Sequence, residues 1–420
     1  MTTTDPTRAP SPRKALSTPI LLFLGSLKLT VLLLVLLGLL TYFGTLAQTE
    51  QGIYYVQKDY FESWWVRVPI GRFDVWRIWF PLPGALPVLG LLFVNLLVGG
   101  VLRMRLHARN IGVLVTHLGV LLLLVAGFVK MEMSHAGHMS LYEGDTGALI
   151  RSYQEWELAL MRRDGDGYAE RTVHGSAIEG AVGDRRIRID GDGLPFAVEV
   201  HHFYEHCVPV PKGPMFEATA PLVDGVFLAS DPRFVPPTSS REQKLAGCYV
   251  DVVGRDGQTV ARGILWAGDT IKVGTKLRPF CFDYEGQSWG IELRHQLWAL
   301  PFDVRLDRFK KSEHPGSMMV RDYSSFVTVT DPDGTSRPAH IYMNEPLRKA
   351  GYVFYQTSWG PQNSPTGPYY STFEVANNPS DKWPEYACYV IGAGMLIHFL
   401  SKLRRFIASE GRRRSKEIPA

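Results

Sequence analysis

Residues Gly112–Gly127 read GVLVTHLGVLLLLVAG, with one ionisable side chain, His117, set among leucines and valines. They sit inside the apolar run Ile111–Val129, which at roughly 1.5 Å per helical residue nearly crosses the ~30 Å hydrocarbon layer of a bilayer. The preceding run, Leu82–Leu102, is joined to it by the basic stretch Arg103-Met104-Arg105-Leu106-His107-Ala108-Arg109. The two predict a transmembrane hairpin with a polar turn. Upstream, Leu29–Ala47 (LTVLLLVLLGLLTYFGTLA) carries no charge and predicts the first span. It is longer than a signal-peptide core and no A-x-A site follows, so it reads as an uncleaved anchor. The last apolar run, Tyr386–Leu400, is short. Trp383 as an interfacial anchor, with Lys402 and Arg404 snorkelling at the far end, completes a fourth helix.

Across 420 residues, 45% hydrophobic and 20% charged content excludes a disordered or collagen-like chain, and four cysteines make no disulfide framework. The net charge of +4 is unevenly placed. With the amino terminus on the cytoplasmic side, Arg8, Arg13, Lys14, Arg103, Arg105, Arg109 and the Lys402–Lys416 cluster all fall inside, and the rest of the chain is acidic. The basic excess therefore sets topology, and nucleic-acid binding loses its support. This reads as a multi-pass membrane protein with its large domain on the extracytoplasmic side.

The expected organisation is a cytoplasmic tail at 1–28, helix one at 29–47, an aromatic outer loop at 48–80 and a helical hairpin at 81–130. A β-rich domain at 131–384, helix four at 385–401 and a basic tail at 402–420 follow. The fold class is thus a four-helix membrane anchor with a large all-β extracytoplasmic domain inserted between helices three and four. The β reading rests on alternating runs such as Phe196–Val200 and on hairpins in which Asp256-Gly257 and Asp333-Gly334 supply tight turns. Pro-rich stretches at Val208–Pro214 and Val235–Ser239 mark either long loops or a seam between two β-subdomains. The outer loop, with Tyr54, Tyr55, Tyr60, Phe61, Trp64, Trp65, Phe73, Trp76, Trp79 and Phe80, reads as an interfacial aromatic belt or as a stacking surface for a flat apolar ligand.

Several residues carry candidate chemistry. An imidazole within a span as apolar as that around His117 costs on the order of 2 kcal/mol or more unless it meets a partner. It is therefore either a metal-type ligand, suited to haem iron in an apolar pocket, or a residue hydrogen-bonded to a neighbouring helix, with Asn95 as a candidate partner. His398 lies in the same membrane half and raises the same two readings. His201, His202, His206 and Cys207 in HHFYEHC have donors for zinc or copper, but strand alternation puts His201 and His202 on opposite faces and favours a surface cluster. His135 and His138 stand just beyond helix three. Cys207, Cys248 and Cys281 permit one disulfide at most; no C-x-x-C is present, which argues against a thioredoxin-like exchanger and against a c-type cytochrome. Hydrolase and phosphate-loop motifs are absent.

The first helix ending Phe43-Gly44-Thr45-Leu46-Ala47-Gln48, the hairpin with His117, and above all Ile341–Gly360 (IYMNEPLRKAGYVFYQTSWG) resemble the ResB (CcsB) family of cytochrome c biogenesis proteins. Arg321–Phe326 resembles the strand that precedes this segment. The resemblance implies a co-catalytic or non-catalytic subunit of the System II holocytochrome c synthetase. With a multispanning ResC/CcsA-type partner, it moves haem b outward as cargo and joins it to apocytochrome c. It also implies that His117 is an axial haem ligand, with the second ligand from the partner. The partner's tryptophan-rich segment has no match in Trp64-Trp65-Val66, so this chain alone is insufficient for synthesis. Two other functions stay open: a b-type electron-transfer subunit using His117 and His398, and a cofactor-free membrane-tethered assembly module.

Overall fold

The computed structural model describes residues 19–70, 78–105, 107–165, 167–191, 193–214, 217–268, 279–316, 320–361 and 368–417. The cations Arg8, Arg13 and Lys14 and the aromatics Phe73 and Trp76 lie outside them. The chain divides into two compact units, Met1–Ser134 with Asn378–Ala420, and His135–Asn377.

In the helical unit, four helices among the described residues are long and apolar enough to cross a membrane. They are α1, Leu27–Gln51; α2, Ala85–Leu96, widening into a π-helical turn at Leu97–Leu102; α3, Ile111–Met133; and α4, Trp383–Glu417. α4 runs through Lys402 and the basic residues beyond, where Ala, Leu, Lys, Arg and Glu favour helix and no proline interrupts. α3 and α4 pack through small residues. A Cβ on Gly112 would fall 2.5 Å from the His398 amide nitrogen, and one on Gly394 2.5 Å from that of Thr116. Without a hydrophobic drive between helices in lipid, such close backbone approach supplies the packing. At the start of α1, a Cβ on Gly25 would sit 2.9 Å from Gly99 Cα in α2. Asn95 binds this junction: its amide donates to Leu24 O (2.6 Å) and Ser26 O (3.1 Å), and Thr30 Oγ1 donates to its carbonyl (2.7 Å).

The aromatic loop folds into a short helical turn and the hairpin Trp65–Ile70/Ile78–Pro83. Val66, Val68 and Leu82 join the core formed with Leu29, Leu33 and Leu40. Trp64, Trp65, Trp79 and Phe80 are at least half exposed.

The strand unit holds a ten-stranded antiparallel sheet and a four-stranded one. Two strands dominate it: Thr146–Asp164, of 19 residues, and Gln287–Glu313, of 27, paired antiparallel. Each runs through two hydrophobic cores. Trp156, Leu158, Leu160, Trp289, Ile291 and Leu293 face Val198, Val200, Val250 and Val252 of the four-stranded sheet, giving a sandwich. Further along, Ile150, Phe302, Val304 and Leu306 join Met139, Val327, Ile341, Phe354 and Phe373 in a second core. The seam between β-subdomains therefore lies within these strands. There the register shifts between His295 and Leu297 and between Ala299 and Val304, with Pro301 in the second irregularity. The Pro-rich Val208–Pro211 is itself a strand, paired with Val226–Ala229.

Candidate functional site

His117 sits one residue after Thr116, which faces α4, and is turned by roughly 100° around α3. It points at α2: the ring Nδ1 is 2.9 Å from the Gly100 carbonyl oxygen. That oxygen belongs to the last turn of α2, where helix carbonyls lack intrahelical partners, and a carbonyl can only accept. Nδ1 therefore carries the proton and donates, and the lone pair of the neutral ring is on Nε2. Gly100 makes this possible, since a Cβ there would lie 2.6 Å from Nδ1. Asn95, the candidate partner of His117, is instead committed to the α1 junction; five residues before Gly100, it sits on another face of α2.

His398 lies in the α3–α4 seam, its backbone against Gly112, and its Nδ1 is buried with no hydrogen-bond partner among the described residues. The His117 ring meets the last turn of α2, while His398 meets α3 through its backbone at Gly112. The donor set at His117 fits a single axial haem ligand. The ring is only partly buried, its orientation and tautomer are fixed by a backbone carbonyl, and Nε2 is uncommitted.

In the strand unit, His135 packs against Trp298 (ring centroids 4.8 Å) and Tyr352 (6.1 Å), and His138 lies over Tyr153 at 4.9 Å. Burial lowers the pKa of both histidines, with Arg151 adding to the effect at His138. Burial, with Glu374 and Glu242, raises Tyr153 to about 12.

The HHFYEHC segment departs from the simple strand expectation. His202 has φ +48°, and the pairing of Ala197–Tyr204 with Gly247–Val253 shifts register between Gly247 and Tyr249. This bulge breaks the alternation and brings both imidazoles to one side, with His201 Nδ1 2.9 Å from His202 Nδ1. The Nε2 atoms look the other way, that of His201 at 3.7 Å from Asp251 and that of His202 at 3.6 Å from Asp184. Asp251 is buried and held by Arg186 (2.5 Å) and Arg262 (3.4 Å). Sequence reading missed Asp184, Arg186, Asp251 and Arg262, because nothing local signals a cluster assembled from three strands and the loop at 184–186. His206 takes no part; its Nδ1 accepts from the Leu245 amide and its Nε2 meets Pro236 O. Among the described residues no group of three or more His, Cys, Asp or Glu is arranged to hold a metal.

All four cysteines are free. Burial pushes the thiol of Cys207 up strongly and that of Cys248 to about 12, so neither is a reactive thiolate.

Residues 271–367 match the model of the ResB-like family. The likeness to the ResB-like family rests on that segment, less than a quarter of the chain. Over 115 residues, 27% of the chain, it is 30% identical to Protein NrfI of Wolinella succinogenes, and the match spans 12% of that relative. Within the ResB-like segment the signature residues do structural work. Ala350 (φ +49°) and Gly351 (φ +83°) make the two-residue turn joining Leu347–Lys349 to Tyr352–Gly360. Gln356 closes a polar network with Ser325 and Ser371: its amide nitrogen donates to Ser371 Oγ (2.8 Å), and Ser325 Oγ donates to its oxygen (2.5 Å). Ser325 and Ser371 are fully buried, so each needs these partners. His117, His398 and the His201–His202 pair all lie outside the matched residues.

Proposed function

We propose that this chain is the ResB-type subunit of a System II cytochrome c synthetase and that His117 gives one axial ligand to haem b passing through as cargo. The family match and the likeness to NrfI support a role in cytochrome c biogenesis. The observation that carries the ligand assignment is the 2.9 Å contact from His117 Nδ1 to Gly100 O, which leaves Nε2 with a lone pair. The four apolar helices and the placement of lysine and arginine support a multi-pass protein of the bacterial inner membrane with the strand unit outside. A multispanning ResC/CcsA-type partner supplies the second ligand, and apocytochrome c is the acceptor.

Haem iron brings the coordination chemistry; this chain orients and exposes one nitrogen. The Gly100 carbonyl holds the imidazole in one tautomer, and the leucines and valines around it keep water away.

The test is haem content of the copurified two-subunit complex by pyridine haemochrome. His117→Ala loses most of its haem, and free imidazole in the growth medium restores part of it by filling the vacated position. Unchanged haem and unchanged cytochrome yield in His117→Ala overturn the assignment.

A further inference from the structure

The paired imidazoles of His201 and His202 face each other across 2.9 Å through their Nδ1 atoms, each with a carboxylate near its Nε2. They line a cavity of about 240 Å³ together with Arg186, Tyr249 and Arg262. We propose that this pair is a chelating site for a late first-row divalent metal ion, copper(II) foremost, bound through the two Nδ1 atoms. This inference stands apart from the haem reading.

Three observations carry it. First, the rings are brought together at a conformational cost. His202 occupies the left-handed region, which a non-glycine residue enters at a cost and keeps only where surroundings impose it. Second, the spacing suits one ion. Two nitrogens each about 2.0–2.1 Å from a metal and 2.9 Å apart subtend about 90°, the cis angle of square-planar or tetragonal coordination. Third, the outer contacts have the arrangement that tunes imidazole ligands. Asp251 lies 3.7 Å from His201 Nε2 and the exposed Asp184 3.6 Å from His202 Nε2, so a proton placed on either Nε2 has a negative charge nearby.

Without metal, one Nδ1–H donates to the other Nδ1. When the ion enters, that proton moves to Nε2 of the same ring, facing its carboxylate, and both lone pairs bind; no proton is lost overall. Asp251 itself is held by Arg186 and Arg262 and stays in an orienting position. Among the described residues no third His, Cys, Asp or Glu converges with the pair, so the remaining positions go to water, for which the cavity has room. Copper(II) heads the affinity order for nitrogen donors and accepts this geometry.

The experiment titrates chelator-treated, full-length protein in detergent with copper(II) chloride and follows electron paramagnetic resonance. One equivalent binds with an axial spectrum showing two imidazole nitrogens. His202→Gly removes the donor and suits the positive φ, so the fold is kept while copper affinity falls at least tenfold and the nitrogen pattern is lost; His202→Asn, which also tolerates that conformation, gives the same result. His206→Ala, altered in the same segment but away from the pair, binds as the wild type does. The proposal is overturned if the wild-type protein takes up no stoichiometric copper, if His202→Gly keeps the spectrum and affinity, or if His206→Ala loses them.

Discussion

At the scale of single residues, His117 and Gly100 act as one feature, a donor and the bare backbone that lets it approach. Gly100→Ala places a methyl group 2.6 Å from Nδ1 and forces the ring to turn, while leaving the ligand itself in the chain. Loss of a buried hydrogen bond costs about 1–3 kcal/mol, and the freed imidazole no longer holds one tautomer. Haem per copurified complex should therefore fall toward the level of His117→Ala, read by the same haemochrome assay, with the amount of protein in the membrane unchanged. Haem at the wild-type level in Gly100→Ala would show that orientation by this carbonyl is irrelevant. His117 was legible from sequence because a titratable group in so apolar a run needs a reason to be there. Its partner was not, since a backbone carbonyl has no residue-type signature, and the side chain that drew attention, Asn95, was already engaged with Leu24 and Ser26. The same blindness hid the His201–His202 pair: alternation is a rule for regular strands, and a positive φ at a histidine cannot be read from its letter.

At the scale of elements, the α3–α4 seam depends on the absence of side chains. Gly112, Thr116 and Gly119 recur at the helical spacing that builds one face, and opposite them stand Ala387, Ile391, Gly394 and His398. Gly394→Leu inserts a side chain where a Cβ alone would meet Thr116 at 2.5 Å. Overpacking of this kind costs about 1–3 kcal/mol, and the thermal unfolding midpoint in detergent should drop accordingly. Gly392→Leu, two residues away with nothing within 4 Å of its Cβ position, should leave the midpoint unchanged. Equal effects of the two substitutions would mean that the seam contributes no stability. The four helices could be placed from hydropathy. The π-helical turn at Leu97–Leu102 could not, although Gly99-Gly100 mark a point where a helix is easily deformed.

At the scale of the whole molecule, the strand texture and the Asp256-Gly257 and Asp333-Gly334 turns were readable, and both glycines adopt positive φ as such turns require. The sharing of Thr146–Asp164 and Gln287–Glu313 between two cores was not, because register breaks and Pro301 interrupt the pattern in mid-strand. The strand unit also carries a common response to acid. His135, His138 and His201 all have pKa values held below the ordinary 6.5 chiefly by burial, opposed at His201 by Asp251. The unfolded chain thus takes up protons that the folded one refuses, so the stability is complete above about pH 6.5 and declines as pH falls through that value. Thermal scans of the full-length protein should show a falling midpoint between about pH 7 and 5.5, and a shallower fall in His138→Phe; identical slopes would deny that burial of this ring matters. The two long shared strands have one more consequence, for assembly in time. Their pairing joins Trp289 to Arg162 and Arg305 to Thr146, so neither core can close until the later strand has emerged. Such distant pairing makes folding slow. During synthesis, the residues between these strands must wait with apolar surface uncovered, a period in which a holding chaperone has the most to protect.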